Sequence, residues 1–222
     1  MRVIARGGVH LSLVTLALLA VVGLLDGCSL FKPSHAPELK LFTLDDDISP
    51  PGTSDGTLTV IVKPLRSAAG FASPRIAYVR SEHQLAYYTQ SAWVESPADM
   101  LAPLLVRAIA RTGAFHASLP PGSTARSDLQ LEAEVLRLQQ EFDTLPSRVR
   151  LTLRVSLVAS VSRRVLATRL FESVADAQSE DASGGVAAAN LATRKVLTAV
   201  ADWSATVAQA EHATLHPSGS RR

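Results

Sequence analysis

Aromatic residues make up only 5% of this 222-residue chain, and there is one cysteine, Cys28. A single thiol cannot close an intramolecular disulfide, so the fold must be held by its hydrophobic core. The paired-cysteine spacings of zinc sites and redox motifs are excluded on the same ground. Charge of one sign is also lacking: 22 Lys+Arg stand against 20 Asp+Glu. Nucleic-acid binding needs clustered basic surface, so none is expected. The phosphate-cradling pattern Gly-x-x-x-x-Gly-Lys is absent. Catalytic groups can converge from distant positions, so this absence lowers the expectation of an enzyme without abolishing it. No cofactor is implied. Long apolar runs are missing too, with one exception near the N-terminus.

That exception runs from Leu11 to Leu25, preceded by Arg2 and Arg6 and followed by Asp26-Gly27-Cys28-Ser29. Basic residues, an apolar stretch and a small residue, in that order, make a secretory signal. The stretch is shorter than the roughly 20 residues of a membrane span. The thiol after Gly27 resembles the lipobox of a bacterial lipoprotein, although Asp26 stands where a small neutral residue is usual. The resemblance implies cleavage before Cys28, a diacylglyceryl thioether on its sulfur and a third acyl chain on its amine. Residues 1–27 then form the signal peptide and 28–38, with Pro33 and Pro37, a tether. Ser29 stands where an inner-membrane retention signal would carry Asp. The expected location is therefore the outer membrane, facing the periplasm. Losing Arg2, Arg6 and Asp26 leaves the mature chain nearly neutral.

Short strands are expected at Leu39–Leu44, Thr57–Pro64, Ile76–Arg80 and Gln84–Gln90, the last two as a hairpin around Ser81-Glu82-His83. Ser96-Pro97-Ala98-Asp99 reads as the capped start of a helix ending before Gly113, with a kink expected from Pro103. After a strand at Phe115–Leu119, Leu129, Leu131, Ala133 and Val135 alternate with polar residues, and the phase flips at Leu136 and Leu138, as at a β-bulge. From Val149 to Val161 every second residue is apolar, and Ser162-Arg163-Arg164 turns the chain into a strand at Val165–Ala175. Asp181 or Ser183 is a candidate cap for a last helix, Val186–Ala210. The domain thus spans 39–210, with 211–222 read as a disordered tail. The expected fold is α/β: a three-layer-type sandwich with a mixed, largely antiparallel sheet covered by two main helices.

Two surfaces are candidates for partner contact. Arg148, Arg150 and Arg154 share one face of a strand with Thr152 and Ser156, while Gln130, Glu132 and Glu134 lie on the neighbouring strand. They form either a basic stripe for an acidic partner or headgroup, or cross-strand ion pairs on a solvated face; the acids are placed for the second. Tyr78, Tyr87, Tyr88 and Trp93 gather within sixteen residues, as a contact surface or as edge-strand packing. His212 and His216 are four apart but lack the further ligands of a metal motif.

Several landmarks occur in a fixed order: Phe42-Thr43-Leu44, Val60-Ile61-Val62-Lys63-Pro64, Ile76-Ala77-Tyr78-Val79-Arg80, Leu85-Ala86-Tyr87-Tyr88 and Trp93-Val94-Glu95-Ser96-Pro97. Together they resemble the ABC-type transport auxiliary lipoproteins of the paraquat-inducible protein C-like kind, over about Leu39 to Ala208. The resemblance implies a non-catalytic outer-membrane lipoprotein of a lipid transport system. Its implied partners are an inner-membrane ABC permease and ATPase and a periplasmic substrate-binding protein with MCE (mammalian cell entry) domains. The ring shape of MCE proteins suggests, by analogy, a homo-oligomer of this chain. Other readings are an assembly lipoprotein of a lipopolysaccharide or secretion machine, and a surface hydrolase.

Overall fold

The computed structural model describes residues 38–45 and 54–215. The chain divides into two units, Met1–Glu38 and Leu39–Arg222. Within the second unit the described elements are β1 (Lys40–Phe42), β2 (Thr59–Val62), β3 (Arg66–Ser67), β4 (Arg75–Val79), β5 (Leu85–Trp93) and α1 (Pro97–Arg111). They continue as β6 (Ala117–Leu119), β7 (Leu129–Glu141), β8 (Arg148–Ala159), β9 (Val165–Asp176) and α2 (Ala182–Leu215). Cys28, the tether up to residue 37 and His216 lie outside the described residues.

Strand β7 is the spine of the sheet. One edge pairs antiparallel with β8 along its whole length, and β8 pairs antiparallel with β9. The other edge is shared in turn by β2, β3 and β4, all parallel to it. Strand β6 lies outside β2, and β5 then β1 lie outside β4. The register of β7 on β8 shifts between Val135 and Arg137, so Leu136 is the extra residue of the expected bulge. Beyond the bulge the faces exchange, and Leu138 and Gln140 become the buried positions. The mixed sheet of nine strands and two helices among the described residues is the α/β class that the sequence pattern predicts.

Leu151, Leu153, Val155 and Leu157 are fully buried on one face of β8, as their alternation requires. They share a core with Leu101, Leu105 and Ile109 of α1 and with Val196, Leu197 and Val200 of α2, and the two helices touch each other. Ser96 caps α1: its hydroxyl accepts from the Asp99 N–H at 3.4 Å and donates to the Asp99 carboxylate at 2.5 Å. The helix continues unbroken through Pro103, and Gly113 follows with φ 65°.

Three expectations need correction. Val161 does not continue the buried face of β8; it is 97% exposed. The strand stops at Ala159, whose N–H and carbonyl bond Arg164 and Arg163 to close a tight turn, with Arg163 at φ 58° and Val161 at its apex. Helix α2 begins at Ala182, four residues early, because Asp181 caps it: its carboxylate accepts from the Gly184 N–H at 2.9 Å. Gly184 and Gly185 look like helix breakers, yet a Cβ on Gly184 would lie 2.3 Å from the Ser179 carbonyl oxygen, and one on Gly185 2.2 Å from Gln140 Oε1. Close approach, not flexibility, explains both glycines. Lastly, residues 211–215 are helical rather than a tail, and Glu211 pairs with Arg164 at 2.6 Å, tying the end of α2 to the β8–β9 turn.

Candidate functional site

The helix-free face of β7, β8 and β9 carries the predicted arginines, and each is paired. Arg148 meets Asp143 at 3.1 Å, and Arg154 meets Glu134. Arg150 is held at 2.9 Å by Glu141 and at 2.5 Å by Glu172. The hydrogen bonds it donates to Glu141, reinforced by the charges of both acids, push its pKa further up. Glu172 is held below the usual carboxylate range, first by the hydrogen bond from Thr152 at 2.8 Å and then by Arg150. The stripe is a cross-strand ion-pair lattice, each exposed pair contributing about 0.2–1 kcal/mol. An acidic partner would have to displace carboxylates already in place.

The predicted aromatic group separates into different environments. Trp93 is 3% exposed and belongs to the core, so it is not a contact residue. The reason is parity: Trp93 lies opposite Phe42 in the β1–β5 register, on the side that packs inward. Tyr87 reaches away, donating to the Gly70 carbonyl at 3.0 Å under the Arg75 guanidinium. Tyr78 and Tyr88 do meet, with ring centroids 4.8 Å apart, and Phe142 lies edge-on to Tyr78 at 6.0 Å. Arg80 covers this group, 4.3 Å above Phe142 and 5.4 Å from Tyr78.

Below the tyrosines lies a residue that the landmarks did not single out. Gln140 is 2% exposed; its side-chain oxygen accepts from the Tyr88 hydroxyl at 2.9 Å and its amide donates to the Ser147 hydroxyl at 2.9 Å. The bulge-induced change of phase, visible at Leu136, was the signal that position 140 points inward. Partial burial, the leading cause, raises the Tyr88 pKa to about 12. Because the folded value lies above the unfolded one, near 10, this contribution to stability is complete below pH ~10 and lost as pH rises to ~12. Chemical unfolding between pH 9 and 12 is expected to show a steeper alkaline decline for the parent than for Tyr88→Phe. Parallel curves would remove Tyr88 from the account.

An open groove of about 530 Å³ runs between residues 55–58, residues 112–114 and the end of α2 at Ala208, Gln209, His212 and Ala213. Its lining residues Asp55 and Gly56 end a sequence run, Gly52-Thr53-Ser54-Asp55-Gly56, that fits the Gly-x-Ser-x-Gly pattern of a nucleophile elbow. The context is wrong: Ser54 precedes strand β2 instead of sitting between a strand and a helix, and its hydroxyl donates to the Phe115 carbonyl. Among the described residues no cluster of three His, Cys, Asp or Glu side chains is placed to hold a metal. No described helix is long and apolar enough to cross a membrane.

The fold is similar to that of a DUF330-family protein from Xanthomonas campestris, with a TM-score of 0.70 and 24% identity over 78% of this chain and 98% of the other. A second solved structure, of an uncharacterized protein, is similar at a TM-score of 0.58 and 16% identity, covering 74% of this chain and 97% of that one. No curated protein matches. Residues 42–201 match the family described as ABC-type transport auxiliary lipoprotein component. They span the sheet from the end of β1 through most of α2. By that match across most of its length, the chain belongs to the ABC-type transport auxiliary lipoprotein family.

Proposed function

We propose that this chain is a non-catalytic lipoprotein of an MCE-type ABC lipid transport system, anchored in the outer membrane through Cys28 and facing the periplasm. The family match over residues 42–201 carries the reading. The anchor is supported by the apolar segment that ends at Cys28, the sole cysteine. In this role the domain from residue 39 onward docks the periplasmic MCE-domain substrate-binding protein. The permease and ATPase act at the inner membrane and hydrolyse the nucleotide.

The test is capture of this protein, tagged after residue 222, from detergent-solubilised envelopes of its native host. The expected result is co-purification of an MCE-domain protein, lost when residues 39–210 are deleted. Capture of a lipopolysaccharide or secretion component in place of any MCE protein would overturn the assignment.

A further inference from the structure

The described chain starts with exposed leucines. Leu39 is 52% and Leu41 60% exposed, although Phe42 and Leu44, immediately after them, join the core. Successive strand residues point to opposite faces, so Leu41 and Leu39 lie on the side away from the helices. Lys40 takes the other side, lining a hollow with Phe42 and Asp181. In the β1–β5 register Leu41 pairs with Ala92, which pairs in turn with Arg75 on β4. Val94, two residues after Ala92, is 50% exposed, and its N–H bonds the Phe42 carbonyl at 2.8 Å. Leu39, Leu41, Ala92 and Val94 thus form a small apolar surface at the edge of the sheet. Arg75 borders it, its guanidinium 3.8 Å above the Tyr87 ring.

We propose that this surface lies against the headgroup region of the membrane that holds the acyl chains, so the domain is docked on the bilayer as well as tethered to it. The inference rests on the proposed lipidation of Cys28. Residues 29–38 are all that separate Cys28 from Leu39, and ten residues reach at most about 35 Å when extended. The first described residues are therefore confined near the lipid surface. A tether of this length makes the second contact intramolecular, so a patch too small to bind lipid alone can still orient the domain. Leucines and a valine beside an arginine and a tyrosine match the layered chemistry of the interface, with apolar groups at the acyl boundary and polar ones among the headgroups. Four side chains fall far short of the roughly 20–30 residues a side in a stable protein interface, so a second copy is the weaker occupant.

Acylation consumes the only native thiol, so any added cysteine is a unique labelling site. The full lipidated chain carrying Leu41→Cys, Val94→Cys or Val161→Cys is labelled with bimane and reconstituted into phosphatidylethanolamine–phosphatidylglycerol vesicles containing lipids spin-labelled at the headgroup. Val161 serves as the control, exposed at the β8–β9 turn near the opposite edge of the sheet. Quenching several-fold greater at positions 41 and 94 than at 161 is expected. Adding Leu39→Ser and Leu41→Ser should bring the Val94→Cys signal down to the level of the control, with the melting temperature retained. Equal quenching at all three sites overturns the proposal, and so does oxidation of unlabelled Leu41→Cys into disulfide dimers on the vesicles, which would mark contact with a second copy. Chain that does not float with the vesicles refutes the lipid anchor itself, and the docking with it; chain that floats but shows no site preference refutes the docking alone.

Discussion

Replacing Cys28 by serine is expected to abolish incorporation of labelled palmitate and to remove the protein from the outer-membrane fraction. The size of the effect follows from acyl transfer. At about 0.8 kcal/mol per methylene, a chain of ~15 methylenes contributes about 12 kcal/mol on burial, and stable anchoring takes two signals or more. Serine offers no thiolate for the thioether, so the acyl chains that follow it are lost together. The variant keeps Leu11–Leu25, so some chain is expected to stay in the inner membrane as an uncleaved form, heavier by its signal segment. The deciding measurements are palmitate labelling and the intact mass of protein from separated membranes. Label retained by Cys28→Ser, or an outer-membrane yield equal to the parent, would refute the anchor.

The second large effect is expected at Gly56. Residues 54–58 run beside residues 113–116: the Asp55 N–H bonds the Gly113 carbonyl at 3.1 Å, and the His116 N–H bonds the Leu58 carbonyl at 2.9 Å. A Cβ on Gly56 would stand 2.1 Å from the Ala114 carbonyl oxygen and 2.5 Å from the Phe115 Cα. Those are backbone atoms, and no side-chain rotation relieves the clash. The crossing leads into the parallel pairing of β2 with β6, so a forced separation unsettles that edge of the sheet. Overpacking of this kind costs typically 1–3 kcal/mol, and with backbone on both sides Gly56→Ala is expected near the top, at about 3 kcal/mol. In a domain of this size that is a fall in melting temperature of roughly 10 °C. Gly122→Ala is the matched control: its Cβ meets nothing within 4 Å, and only the left-handed φ of +82° opposes it. Its cost is expected to be about 1 kcal/mol. Circular dichroism melts of the two variants decide the matter; a Gly56→Ala curve overlying that of the parent would show that the crossing is not held as tightly as described.

Much of the fold was legible because local chemistry and tertiary packing agree. The two-residue alternation of Leu151, Leu153, Val155 and Leu157 gave the buried face of β8, and the broken phase at Leu136 gave the bulge. Glu134 and Arg154, on the polar faces of neighbouring strands, already implied an ion pair. Trp93 was less legible, since an amphipathic aromatic reads equally well as surface or core until its register partner Phe42 is known. Gly184 and Gly185 are hard to interpret from residue order for a related reason: their meaning lies in Ser179 and Gln140, and the Gln140 contact comes from another element.

Properties that depend on near neighbours could be read from residue order alone: the lipobox-like segment around Cys28, the cap at Ser96, the strand periodicity and the order of landmarks marking the family. It took the folded chain to show that β2, β3 and β4 share a single edge of β7, that Gln140 links Tyr88 to Ser147, and that Leu39 and Leu41 remain uncovered. Periodicity specifies which face of an element is apolar. Which apolar face meets which is settled by burial and backbone pairing between residues far apart in the chain.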